Sequence, residues 1–291
     1  MNREREEIVA KQETEEVQRG RESDSDEWVE VYPTSFSQQR LWFLQQLMPE
    51  STAYNISYEF DIDGPLDLEA LERSVNDLIR RHEALRTTFD IIGDGPCQII
   101  HVMEDWQLDI SDLSSMTPDN SQNVIRDERR KVRDSPFSFQ ESPLFRLKVL
   151  RQDSQSHLLL FTIHHIITDG WSMGLFFREL TQLYKEHSDG IPSGLDSHDL
   201  DYADYTIWQR KYLDSPSAAV QLSYWKEQLQ DVIQTTLPTD RPRPPFQTAN
   251  GAAYEFSLTI KNTKSLKEFA QRTKATLFMV LLAALKVLLY R

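Results

Sequence analysis

The hydrophobic pattern of the chain is organised around residues 157–174, HLLLFTIHHIITDGWSMG. From His157 to Ile167 apolar and β-branched side chains fill both alternating faces, the pattern of an interior strand covered on each side. Residues 145–151 form a second apolar run, and the polar DSQS between the two predicts an antiparallel pair. Beyond Gly170 the period turns helical. Leu175, Phe176, Leu180, Leu183 and Tyr184 share a stripe, which predicts a helix from Met173 to about His187.

Upstream, YPTSFSQQRLWFLQQLMPE offers Ser35 or Ser37 as a cap, Leu41, Leu44 and Leu47 at helical spacing, and Pro49 as a stop. Residues 54–60 alternate as a strand that ends by Gly64-Pro65. Asp67 then caps a helix whose Leu68, Leu71, Val75, Leu78 and Ile79 form one apolar stripe. A hairpin is predicted from residues 87–92, the Gly93-Asp94-Gly95 turn and residues 97–102. Residues 109–120 read as a loop, a polar helix runs to about Arg133, and PFSFQESPLF reads as extended.

Downstream, an aromatic helix carries Tyr202, Tyr205, Trp208 and Tyr212, and another holds Leu222, Trp225 and Leu229. LPTDRPRPPF is too rich in proline for helix or central strand and reads as an extended crossing segment. Tyr254, Phe256, Leu258 and Ile260 alternate as a strand, followed by a helix capped near Thr263 and one capped by Thr276. Strands alternating with helices make the fold class α/β. The expected organisation is an acidic disordered leader at 1–30, a lobe at 31–190, helices and a proline-rich crossover at 191–250, and a last stretch at 251–291.

Charge sharpens this picture at the start of the chain. Residues 1–30 hold 11 acidic and 5 basic side chains, too few apolar groups to offset the entropy of ordering them. Over all 291 residues the net charge is −14, which argues against a nucleic-acid binder. The single cysteine, Cys97, excludes an internal disulfide and a cysteine-based zinc site, and a reducing cytoplasm is the expected compartment. The apolar run at 277–290 is interrupted by Lys286 and is too short for a bilayer; it is expected to be core, with no membrane partner.

Candidate chemistry gathers where the 157–167 strand gives way to the helix. His164 and His165 are adjacent on a strand, so they point to opposite faces and cannot readily share a metal; the pattern alone does not choose between them. Asp169 either orients an imidazole or pairs with an arginine and pins the turn. Arg81, His82 and Arg86 are unusual beside an apolar stripe, and Arg86 is placed to meet a carboxylate. No GxSxG elbow, nearby cysteine or phosphate loop is present. Direct acyl transfer between two bound substrates is the chemistry left.

The text HHIITDGWS resembles the HHxxxDG signature of the condensation domains of non-ribosomal peptide synthetases, whose fold is similar to chloramphenicol acetyltransferase. SFSQQRLWFLQQLMP, RHEALRTTF, YADYTIWQR, and LPTDRPRP before FMVLLAALKVLLYR resemble the same family in the same order, from about Val31 onward. The resemblance implies a two-layer lobe with mixed β-sheet and packed helices, and a second lobe of which the chain holds only the beginning. It implies that His165 acts on an acceptor amine, that His164 is structural, and that Asp169 makes a structural salt bridge, with Arg86 the preferred partner and Arg81 the second. At Gly170 a side chain would crowd the substrate arms. The partners implied are donor and acceptor peptidyl carrier domains, whose 4′-phosphopantetheine arms bring the substrates, and an adenylation domain of the same synthetase, with no cofactor bound by the domain itself. Ester formation on the same fold and a non-catalytic carrier-docking module are the alternatives.

Overall fold

A computed structural model describes residues 18–21, 28–102, 105–197, 200–233, 236–237, 239–245, 251–252 and 254–290. The chain divides into two compact units, residues 1–224 and 225–291. In order the elements are β1 (Gln18–Arg21), β2 (Trp28–Pro33), α1 (Phe36–Leu47), β3 (Asn55–Asp63), α2 (Leu68–Arg81), a 3-10 turn (Glu83–Arg86), β4 (Thr87–Ile92), β5 (Gly95–Ile100) and β6 (Asp109–Asp112). There follow α3 (Pro118–Asp134), β7 (Phe145–Arg151), β8 (Ser156–His164), α4 (Gly170–Asp189), α5 (Tyr202–Leu213), α6 (Pro216–Gln228), α7 (Ile260–Arg272) and α8 (Leu277–Tyr290).

The strands form two sheets, ordered β1-β2-β5-β4 and β3-β8-β7-β6. Every pairing is antiparallel except β6 with β7, so the second sheet is mixed. The apolar 157–164 stretch takes an inner position in that sheet, with Phe145 opposite Ile163 and Arg151 opposite His157, and β3 on its other flank. One face of β8, through Leu159, Phe161 and Ile163, packs with Leu71, Val75 and Leu78 of α2 and Met173, Phe176 and Leu180 of α4. The opposite face, through Leu158 and Leu160, meets Ile125 and Val132 of α3. Each such fully buried side chain contributes roughly 1.5–3 kcal/mol over leaving it in water, which is why the strand that carries the histidines is a rigid support.

Local signals predicted several elements as found. Asp67 caps α2 by accepting from the Ala70 N–H at 2.9 Å, and Ser35 with Gln38 forms a reciprocal capping box at the start of α1. The expected hairpin of β4 and β5 is present, with Gly95 paired to Ile92 as the first residue of β5 rather than part of the turn.

Other expectations need correction. Residues 18–21 of the supposed leader form a strand whose backbone pairs with β2, because an open sheet edge offers hydrogen bonds that composition does not reveal; residues 1–17 and 22–27 lie outside the described residues. Residues 109–112, read as loop, are an edge strand parallel to β7. Residues 136–144, read as extended, bend and turn. Residues 254–259 form no strand despite their alternation: a strand needs a ladder partner, and here Thr259 caps α7 by accepting from the Asn262 N–H at 3.2 Å, four residues before the predicted cap. Among the described residues no single helix is long and apolar enough to cross a membrane.

Candidate active site

The β8 strand ends at His164, and His165 opens the turn that leads to α4. The turn is held on one side by the residue that precedes β3, since the His165 N–H donates to the Tyr54 carbonyl at 2.9 Å. On the other, the His164 ring is buried at 1% exposure against Phe137, Phe139 and Tyr54, with the Phe139 ring edge-on at 4.8 Å. Its Nδ1 accepts the Ile166 N–H at 3.1 Å, which fixes the backbone immediately after His165. Burial, helped by the neighbouring His165, pushes the His164 pKa down to about 4. His164 is therefore neutral and structural in position, while the side chain of His165 is exposed.

Asp169 does neither of the two things its sequence position suggested. It is the N-cap of α4: its Oδ1 accepts the Ser172 N–H at 2.8 Å and the Ser172 hydroxyl at 2.7 Å. These two donors hold its carboxyl below the usual carboxylate range. Neither arginine reaches it. Arg86 donates to the His101 carbonyl at 2.7 Å and to Glu83 at 3.3 Å, and Arg81 donates to Glu179 at 3.1 Å and to the Asp196 carbonyl. The expected Asp169–Arg86 and Asp169–Arg81 pairs are thus replaced by a local cap, because a donor three residues along the chain is reached without a long-range contact. Gly170 opens α4, and a Cβ built on it meets nothing within 4 Å, so the protein's own packing does not require glycine there.

His165, Asp169 and Ser172 line a cleft of about 420 Å³ together with Tyr54 from before β3, Gln38 of α1 and Tyr202 of α5. Its polar wall is a continuous chain of bonds. Ser35 N–H donates to Gln38 Oε1 at 2.8 Å, Gln38 Nε2 donates to Gln98 Oε1 at 3.2 Å, and Gln98 Nε2 donates to the Pro33 carbonyl at 3.0 Å and to Thr206 Oγ1 at 3.3 Å. Thr206 in turn donates to the Tyr202 carbonyl at 3.1 Å, and the Tyr202 hydroxyl meets Ser35 Oγ at 3.0 Å. Burial raises the Tyr202 pKa, which keeps its hydroxyl protonated. Among the described residues no group of His, Cys, Asp and Glu side chains is arranged to hold a metal ion.

Residues 29–291 match the protein family described as "Condensation domain". The chain belongs to the condensation domain family. It is 41% identical over 260 residues to a linear gramicidin synthase from Brevibacillus parabrevis, covering 89% of this chain and 3% of that protein. It is 37% identical to the phosphinothricin tripeptide synthetase PhsC of Streptomyces viridochromogenes, covering 89% of this chain and 24% of that one. Among solved structures, SgcC5 of Streptomyces globisporus superposes with a TM-score of 0.66 at 27% identity, over 89% of this chain and 60% of its own. The starter condensation domain of rhizomide synthetase RzmA superposes with a TM-score of 0.63 at 23% identity, over 69% of this chain and 48% of its own. The chain therefore spans a small part of the curated synthetases it matches and about half of the solved condensation domains. Its fold is their mixed α/β, chloramphenicol acetyltransferase-like fold.

In this condensation domain the structure brings His165 and Asp169 to one cleft, while Gly170, next to Asp169 in the chain, is not part of its lining and His164 is buried. Arg81 and Arg86 serve other carboxylates and carbonyls. Sequence reading missed Tyr54, Gln38, Gln98 and Tyr202 as cleft residues. The Ser35-x-x-Gln38 capping box was a legible signal for Gln38; nothing local in β5 singles out Gln98, whose role depends on α1 and α5 arriving beside it.

Proposed function

We propose that this condensation domain forms a peptide bond between two acyl groups held as thioesters on separate peptidyl carrier domains. The observation that carries the reading is an exposed imidazole, His165, anchored at the end of a rigid strand in a cleft whose lining holds no cysteine. The Ser172 hydroxyl is committed to Asp169, and Cys97, on β5, has its thiol pushed up by burial, away from the thiolate a nucleophile needs. With no hydroxyl or thiol hydrogen-bonded to the His165 ring among the described residues, we take transfer to be direct. The acceptor amine attacks the donor thioester carbonyl, the C–N bond forms, the C–S bond breaks, and the carrier thiol leaves with a proton. His165 takes the proton that the attacking nitrogen gives up and passes it to the departing thiolate, with Asp169 positioning the turn rather than polarising the ring.

The substrates arrive on the 4′-phosphopantetheine arms of donor and acceptor carriers, with an adenylation domain of the same synthetase loading them, in a cytoplasmic setting. The relatives named above, which are synthetases, support these partners. A second reading, ester formation to an alcohol, has one specific support: SgcC5 is solved in complex with a naphthyl ethanediol.

The test mixes both loaded carriers with this chain extended to the length of the solved condensation domains and reads dipeptidyl carrier by intact mass. Product is expected, and His165→Ala is expected to abolish it. Full-rate product from His165→Ala, or carrier binding without product, removes the reading in favour of a docking module. Product only with a free alcohol selects the ester.

A further inference from the structure

Residues 135–139, Ser-Pro-Phe-Ser-Phe, form neither helix nor strand, yet two of their side chains make the wall against which the His164 ring packs. Phe139 is anchored from β4, whose Phe89 N–H donates to its carbonyl at 2.8 Å. Phe137 is anchored from β7. Arg146, half-buried on that strand, donates from Nη1 to the Ser135 carbonyl at 2.9 Å and from Nη2 to the Pro136 carbonyl at 2.6 Å, and its guanidinium lies over the Phe137 ring, 3.8 Å from the centroid. No carboxylate pairs with it among the described residues, and burial pulls its pKa below the ordinary guanidinium value. A cation held part-way out of water without an ion pair is an expensive way to fill space. A planar fork, however, holds two successive carbonyls at once, which neither an apolar side chain nor a lysine does.

The His164 ring depends on that wall. Its Nδ1 accepts the Ile166 N–H, so the ring proton sits on Nε2, and Nε2 has no hydrogen-bond partner among the described residues. A single bond leaves an imidazole free to swivel; the edge-on rings of Phe137 and Phe139, at 6.1 and 4.8 Å, set its plane. A swivel would carry Nδ1 off the Ile166 N–H and release the turn that begins at His165. We propose that Arg146 is a positioning residue for His165, acting through Phe137 and His164: its fork fixes residues 135–137, and these hold the buried ring that sets the backbone under the exposed one. The assignment rests on the reading that His165 acts on the acceptor amine, and it goes beyond that reading by adding a residue that does not line the cleft.

The test uses Arg146→Lys, which keeps the charge and cannot span both carbonyls, and Arg146→Met, which keeps length alone. By NMR of the 291-residue chain, the ring signals of His164 and His165 are expected to shift in both variants, and the Ile166 amide to exchange with solvent about tenfold faster relative to the amides of the β7–β8 pair. In the domain extended to the length of the solved condensation domains, kcat per folded molecule is expected to fall about 10–100-fold, with KM for the loaded carriers within about twofold of the parent. Arg146→Met can fail to fold, so Arg146→Lys carries the test on its own. Parental ring signals in Arg146→Lys, exchange at Ile166 that rises only in proportion with the β7–β8 amides, or a parental kcat overturns the assignment. Shifted signals together with a parent domain that does not condense remove the reaction proposed above and leave Arg146 as the support of the turn; condensation by Arg146→Lys at the parental kcat removes the positioning role and leaves the reaction.

Discussion

His164 and His165 are the same residue one position apart, and the fold gives them opposite environments. The first faces Phe137 and Phe139, is held neutral by burial and serves the backbone through Nδ1. The second faces an open cleft and has no hydrogen-bond partner for its ring among the described residues. Strand geometry makes adjacent side chains diverge, so one packed layer on one side and one cleft on the other suffice to bury one imidazole and expose the next. The buried residue determines where the exposed one stands.

The largest expected effect separates the two by activity. His165→Ala should cost about 10²–10⁴-fold in condensation rate, the span of a lost general base, with a thermal midpoint within a degree or two of the parent by calorimetry. Next in size is the acid response of His164. Its folded pKa of about 4 lies below the ordinary 6.5, so the unfolded chain takes the proton first. Stability from this group is complete above pH 6.5 and declines as pH falls from 6.5 towards 4, by about 3 kcal/mol in all. Denaturant titrations at pH 4.5 and 7 should show that decline in the parent and lose it in His164→Phe; an unchanged slope contradicts the buried neutral imidazole.

Smaller still is the cap. Asp169→Ala should cost about 1 kcal/mol, the worth of an N-cap, not the 3–5 kcal/mol of a broken buried ion pair. Combined with Arg86→Ala its loss should be additive, since the two share no partner; a coupling above about 1 kcal/mol restores the salt bridge. The smallest effect on the fold is at Gly170→Ala, within about 0.5 kcal/mol of the parent by urea melts because the new Cβ meets open space. A fall in condensation rate from that same variant is expected, and a wild-type rate removes the idea that substrate passes close to this backbone.

Local signals account for what was legible. Asp67 and Ser35 act within three residues of themselves, and the DSQS turn forces its two flanking strands together, so α2, α1 and the β7–β8 pair followed from short windows. Asp169 obeys the same three-residue rule toward Ser172, yet it was missed. Gly170 is a poor helix former, which moved the predicted start of α4 to Met173 and left Asp169 in search of a distant partner. The separate sheets, the parallel β6 and the β1 edge depend on pairings far apart in sequence, and their residues are too polar to announce them. Residues 254–259 are the converse case, an alternating pattern with no ladder to join.

The amide chain behind the cleft has one further property: it is ordered in direction as well as in position. Gln38 Oε1 is taken by the Ser35 N–H, so its amide has a single satisfying flip; that flip forces the one at Gln98, whose Nε2 then supplies Pro33 and Thr206. Thr206 spends its own proton on Tyr202 and can only receive from Gln98. Of the several proton arrangements open to two amides and a hydroxyl, one remains, as in a proton-ordered crystal rather than in ordinary ice. The configurational multiplicity is lost when the unit folds, so the cleft wall presents dipoles that have already chosen their sense and need no turning to meet a charge.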